Sequence, residues 1–100
     1  MLTIENLPLE EGQSIAVDLG EGIVGTITCV GYQGGTPIYR LSVGSTELFI
    51  GTAESLLVQV ASYRRTGTLQ PGLTRYKLEQ RVTPTPFGNR TDTEWVVVDE

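Results

Sequence analysis

Few residues in this chain could carry catalytic chemistry. It has no histidine and a single cysteine, Cys29, so histidine-based triads and multi-cysteine metal sites are excluded. The run GEGIVG at residues 20–25 has the spacing of a dinucleotide-binding loop, but a β-branched run follows it where that motif needs a helix N-terminus. The run DLG at residues 18–20 lacks the hydroxyl residue of an aspartic-protease loop. We therefore predict no enzymatic activity, no cofactor and no metal site.

Charge is distributed unevenly along the chain, and this is the more informative feature. Residues 1–63 contain seven acidic residues and one basic residue, whereas residues 64–90 contain six basic residues and one acidic residue. Phe87 lies in a proline- and glycine-containing loop within the basic segment, where an exposed aromatic ring would be a natural anchor for a partner. The predicted partner-binding residues are Arg64, Arg65, Arg75, Lys77, Arg81, Phe87 and Arg90.

The elements that position these residues are predicted to be β-strands. Alternating apolar and polar residues indicate strands over residues 14–19, 23–32, 37–43 and 46–50, each separated from the next by a turn that contains glycine. Residues 1–5 also alternate and predict a short edge strand. Residues 73–82 form a further strand with one mainly basic face, and residues 94–98 pair with it across a loop of about ten residues, since two prolines in residues 83–89 disfavour regular structure.

Residues 52–65 fit two interpretations. A single helical turn is expected near residues 52–57, and the alternation of residues 58–63 favours a strand after it. The alternative is a helix with Leu56, Leu57 and Val60 on one face. Cys29 lies in an apolar run and is expected to be a small core residue.

The pattern GIVGTI at residues 22–27, followed by Tyr32, the turn at residues 34–35, YRLSV at residues 39–43 and LFI at residues 48–50, resembles an SH3-like small barrel of the Tudor or KOW type. The resemblance covers residues 12–58. It implies a small all-β barrel. The strand pattern itself also fits a β-sandwich, and in either case predicts a C-terminal β-hairpin extension. Residues 1–63 would form the body, and residues 64–100 would pack on it or on a neighbouring chain.

These features favour a non-catalytic assembly or adaptor protein. The acidic body and the basic hairpin suit contacts with protein partners, either copies of the same chain or a larger assembly such as a virion. One alternative is RNA or DNA binding through the basic strand 73–82, which the low isoelectric point of about 4.6 disfavours. The other is a non-catalytic subunit of an enzyme complex. No signal peptide or membrane span is evident, so we expect a cytoplasmic or virion location and no membrane partner.

Overall fold

The computed structural model of the chain describes residues 7–8 and 10–98. Within them the chain is mostly β, as expected, and the edge strand predicted for residues 1–5 lies outside the described residues. The elements in order are β1 (Ser14–Asp18), β2 (Val24–Gln33), β3 (Thr36–Val43), β4 (Thr46–Thr52), α1 (Ala53–Thr66), β5 (Tyr76–Thr85) and β6 (Gly88–Val97).

Strands β1 to β4 form an antiparallel meander, and each strand pairs with the next one along the chain. In the part of the chain that the structure describes, this sheet is open, with β1 and β4 at its edges, so these residues do not form the expected closed barrel. The physical reason is that the chain after β4 continues as α1, which covers the sheet, and supplies no fifth strand to close it. The sandwich alternative is not formed either, because the β5–β6 sheet contacts the meander only near one end.

The core lies between the meander and α1. Alternate residues of a strand point to the same side of a sheet, and here they give the sheet one apolar face. Ile27, Leu41 and Phe49 from this face are buried together with Leu56 and Val60 from α1. Cys29 is fully buried, as expected for a core residue. The hydroxyl of Tyr39 is also enclosed here and donates a hydrogen bond of 2.8 Å to the carbonyl oxygen of Pro8.

The strand predicted for residues 58–63 is wrong, because α1 runs without a break from Ala53 to Thr66. The helix also passes through the predicted boundary between body and extension at residue 63. Its buried side includes two polar residues, Gln59 and Ser62. Gln59 donates from Nε2 to the carbonyl oxygen of Gln70 at 3.0 Å and accepts from the backbone N–H of Gln70 at 2.7 Å. These bonds hold the loop that leads from α1 to β5.

The C-terminal hairpin exists but is longer than predicted. The strands begin and end at Tyr76–Thr85 and Gly88–Val97, and only Pro86 and Phe87 form the turn between them. The expected ten-residue loop is therefore wrong. Pro84 pairs with Asn89 inside the ladder, and this is tolerated because each strand of a two-stranded sheet has a free edge toward which a proline nitrogen can point.

Candidate protein-binding surface

The β5–β6 hairpin projects from the body as an arm. Ten residues in each strand correspond to a length of roughly 33 Å, and the whole molecule measures 56 × 29 × 23 Å. Almost every arm residue is exposed, and partial burial is confined to the end nearest the body. We call this end the base of the arm and the Pro86–Phe87 turn its tip.

The base of the arm is held by specific contacts with the meander. Trp95 lies against Gly31 of β2, so closely that a Cβ atom at Gly31 would be 2.6 Å from the indole Nε1. The side chain of Gln33 donates a hydrogen bond of 3.1 Å to the carbonyl oxygen of Trp95. Just before β5, the guanidinium of Arg75 lies 5.5 Å from the centre of the Phe49 ring, a cation–π distance. These contacts fix where the arm leaves the body.

One face of the arm is charged. The pairing register places three side chains of β5 on the same side as three of β6, and the six residues are Lys77, Glu79, Arg81, Arg90, Asp92 and Glu94. Arg81 forms a 2.8 Å ion pair with Glu94, and Arg90 forms one of 3.2 Å with Asp92. Three basic and three acidic residues share this face, so the positive charge predicted for strand 73–82 is balanced by β6.

The opposite face of the arm carries apolar side chains interspersed with polar hydroxyl and amide side chains. Leu78, Val82 and Val97 are about half exposed, at 54%, 55% and 45%. Trp95 lies directly opposite Leu78 in the register, and Thr91 lies opposite Val82. We call this the apolar face of the arm. Beyond the base of the arm, no other described element covers it, and exposed apolar side chains that cluster in this way commonly mark a binding surface.

The tip presents one aromatic ring to solvent. Phe87 is 100% exposed, and its backbone N–H donates to the hydroxyl of Thr85, which in turn donates to the carbonyl oxygen of Gly88. Gly88 has a φ of +117°, a conformation that favours glycine. The turn is therefore tied by local hydrogen bonds, and it holds the phenyl ring outward.

The remaining predicted binding residues lie on the body. Arg64 and Arg65 occupy the last turn of α1, where cationic side chains interact favourably with the helix dipole. They border a cleft of about 290 Å³ between the C-terminal end of α1 and the β1–β2 turn. Leu19 and Ile23 form part of its wall. We call it the helix-end cleft.

The seven predicted residues are therefore divided among four places. Arg64 and Arg65 lie at the helix-end cleft and Arg75 at the base of the arm. Lys77, Arg81 and Arg90 lie on the charged face, and Phe87 forms the tip. Sequence reasoning did not single out the apolar face as a candidate binding surface. Its alternation was visible in residues 76–82, but alternation does not show whether the chain's own body or another molecule covers the face.

The described residues offer little that resembles a reactive or metal-binding centre. Among residues 7–8 and 10–98, no three cysteine, aspartate or glutamate side chains lie close enough together to hold a metal ion. No helix in the same residues is both long and apolar enough to cross a membrane.

Comparison with known proteins found no relative: no protein-family model, no curated protein and no solved structure matches the chain. The arm and the cleft are therefore the features of the described residues that bear on function.

Proposed function

We propose that this chain is a non-catalytic assembly protein that uses its arm to bind a neighbouring protein subunit, in a homo-oligomer, a virion or another multi-subunit complex. The observation that carries the proposal is the exposed arm, with its apolar face and the fully exposed Phe87 at its tip. An isolated two-stranded hairpin is only marginally stable in water. A second surface that covers this face would stabilise the arm and bind the neighbour at the same time.

The size of the arm favours an assembly with several contacts per chain. Two strands about 4.8 Å apart and roughly 33 Å long present a face of only about 300 Å². A stable two-protein interface usually buries about 800 Å² on each partner. The arm therefore supports attachment best when other surfaces or several neighbours contribute, as in a ring or an array.

The charges of the arm weigh against the nucleic-acid alternative. Phosphate binding needs cationic side chains that are free to neutralise phosphates, whereas Arg81 and Arg90 both pair with acidic residues on the same face. A non-catalytic subunit of an enzyme complex would use the arm in the same way and is a form of the same proposal. As for the fold, the four-stranded meander with its glycine turns supports a distant SH3-like relationship for residues 12–58, in which the described strands leave the barrel open.

Light scattering after size exclusion tests the proposed function. We expect the wild type to form a defined oligomer that persists at high salt, since apolar contacts are not screened. A variant with Leu78→Ser, Val82→Thr and Val97→Thr should shift toward the 10.9 kDa monomer. The matched control is Val24→Thr with Val58→Thr, which removes exposed apolar groups from the body instead.

Two results would contradict the proposal. The first is a monomeric wild type at every concentration and salt level, which would contradict the homo-oligomer and leave only a complex with other proteins. The second is an oligomer that the arm variant retains and the body control loses, since this would place the interface on the body. Salt-sensitive retention of the wild type on heparin would favour the nucleic-acid alternative.

A further inference from the structure

The outer edges of the arm carry backbone groups that the β5–β6 ladder does not use. In an antiparallel ladder, residues whose N–H and C=O groups bond to the partner strand alternate with residues whose groups point to the outer edge. The N–H of Val98 donates to the carbonyl oxygen of Arg75 at 2.9 Å, and this bond fixes the alternation. Odd-numbered residues of β5 therefore bond to β6, whereas Leu78, Gln80 and Val82 point their backbone groups outward.

The outer edge of β5 is more accessible than that of β6. In the part of the chain that the structure describes, no further hydrogen bond reaches the outward groups of β5. On β6, the outward carbonyl oxygen of Trp95 accepts the hydrogen bond from Gln33, so the body occupies part of that edge. A free strand edge is a template for pairing with another strand. A two-stranded arm also gains stability when further strands join it.

The sequence of β5 favours one register for antiparallel pairing with a second β5. Outward residues of one strand must lie opposite outward residues of the other, and two such registers use nearly the whole strand, one centred on Gln80 and one on Arg81. The register centred on Arg81 opposes two guanidinium groups and brings Pro84, which has no N–H, inside the ladder. A shorter register centred on Glu79 opposes two carboxylates. The register centred on Gln80 instead opposes Glu79 to Arg81 of the other copy, twice, and leaves Pro84 in the last pair.

The register centred on Gln80 also improves the surroundings of individual side chains. Within one arm, Glu79 lies opposite Glu94 and forms no ion pair among the described residues, and like charges in opposite positions are unfavourable. Arg81 keeps its ion pair with Glu94, but its side chain is 65% exposed and its guanidinium has further N–H groups that Glu79 of the other copy can reach. On the other face, Leu78 of each copy lies opposite Val82 of the other.

The same test applied to β6 gives the opposite result. The two registers that use nearly the whole of β6 are centred on Asp92 and on Thr93. The first opposes Asp92 to itself, and the second opposes Asp92 to Glu94 twice, so acidic side chains face each other in both. Of the two strands of the arm, β5 is therefore the one whose edge is complementary to its own copy.

We propose that two copies of the chain pair through the outer edges of β5, antiparallel and centred on Gln80, so that their arms form one four-stranded sheet. This inference rests on the proposed function, because it names a second copy as the partner and the β5 edge as the contact. Leu78, Gln80 and Val82 of the two copies exchange about six backbone hydrogen bonds. The contact has two-fold symmetry and closes at a dimer. The tip of each arm lies beside residues 72–75 of the other copy, which are mostly exposed and leave room for it.

Disulfide crosslinking of full-length chains tests the register. The Cα atoms of a hydrogen-bonded pair are about 5.5 Å apart, a distance that a disulfide spans, so Gln80→Cys should crosslink to itself under mild oxidation. Thr93→Cys is the matched control, because Thr93 lies opposite Gln80 on the same face but at the other edge of the arm. At about 10 μM chain, thiols held at an effective concentration of about 1 mM should crosslink roughly 100-fold faster than thiols that meet by diffusion. The native Cys29 is fully buried and does not compete.

A pair of proline variants tests whether this contact holds the oligomer. Gln80→Pro removes the outward N–H at the centre of the contact and keeps the β5–β6 bonds, and Thr93→Pro does the same at the other edge. Gln80→Pro should raise the dissociation constant of the dimer by roughly 10- to 100-fold, since each copy loses one backbone hydrogen bond. Light scattering after size exclusion should then show a shift toward the 10.9 kDa monomer, whereas Thr93→Pro should assemble like the wild type. Circular dichroism confirms that each variant is folded.

Equal crosslinking of the two cysteine variants, or an oligomer that Gln80→Pro retains, overturns the inference. If Gln80→Pro still assembles but the variant with Leu78→Ser, Val82→Thr and Val97→Thr does not, the proposed function stands and only this contact is wrong. A wild type that is monomeric at every concentration overturns this contact and leaves the proposed function only as binding to a different protein.

Discussion

The contact between Gly31 and Trp95 determines how the arm is held, and a single added methyl group tests it. Gly31 lies at an irregularity in the pairing of β2 with β3, where its φ is +151°. The Cβ atom of an alanine at this position would be 2.6 Å from Nε1 and 3.1 Å from Cδ1 of Trp95. Either the indole or the backbone of β2 has to move, so Gly31→Ala should displace the base of the arm.

Two effects of Gly31→Ala lower the free energy of unfolding. Backbone in a conformation that only glycine adopts readily costs about 1–3 kcal/mol for another residue. Loss of the packing of a partly buried Trp95 adds about 1–2 kcal/mol by the usual relation between apolar area and free energy. The sum, about 2–5 kcal/mol, is a large share of the roughly 5–15 kcal/mol that stabilises a typical domain. We therefore expect a clearly lower urea midpoint.

Fluorescence separates displacement of the arm from simple destabilisation, because Trp95 is the chain's single tryptophan. In native buffer, Gly31→Ala should shift the emission to longer wavelength and increase quenching by acrylamide. The control is Gly34→Ala, which has a φ of +56° and no atom within 4 Å of the added methyl group. Backbone strain should lower its free energy of unfolding by about 1 kcal/mol without any change in its emission.

Unchanged emission in a folded Gly31→Ala variant would refute the reasoning, since it would mean that Trp95 is not held against Gly31. Equal spectral changes in both variants would also refute it. In that case, any loosening of the β2–β3 region would expose the indole, and the specific contact would not anchor the arm.

Two further substitutions test the interior. Gln59→Leu should lower the free energy of unfolding by about 2 kcal/mol, because the N–H and carbonyl groups of Gln70 both lose their partner; an unchanged urea midpoint would contradict the role of Gln59 in holding the loop. Burial raises the pKa of Tyr39 above its ordinary value of 10.0, so the folded state favours the neutral phenol. The stability that this contributes is complete below about pH 10 and is lost as the pH rises through the folded-state pKa. Urea unfolding at several alkaline pH values should therefore show a steeper loss of stability in the wild type than in Tyr39→Phe, and equal slopes would count against this assignment.

The sequence predicted the meander well, because local signals are sufficient for it. Alternation over residues 23–32 placed Ile27 and Cys29 on one side of β2, and both are buried. The turn at Gly20 to Gly22 was also predicted, and its positive φ values explain why glycine occurs there. What alternation could not show was whether the sheet closes, because closure depends on the element that follows β4.

The second half of that element was mistaken for a strand because residues 58–63 alternate, and because two buried positions of α1 are polar. Leu56 and Val60 follow helical spacing, but Gln59 and Ser62 interrupt the apolar stripe that usually reveals a helix. Their hydrogen bonds explain the discrepancy: Gln59 bonds to Gln70, and Ser62 donates to the carbonyl oxygen of Thr68 at 3.1 Å. A buried polar residue needs a partner, and these partners belong to a loop that the helical pattern itself does not include.

The same reasoning explains why the candidate binding surface could be predicted only in part. The alternation of β5 grouped Tyr76, Leu78 and Val82 correctly on one face, and the sequence left open whether the body or a neighbouring chain would cover that face. The structure separates these residues: Tyr76 lies at the partly buried base, whereas Leu78 and Val82 lie farther along the arm and are exposed. Alternation with a period of two residues shows which side chains point the same way. The pattern is identical whether those side chains are buried by the same chain or by another one. Where the arm leaves its own body, the pattern that normally indicates a core becomes an argument for a partner.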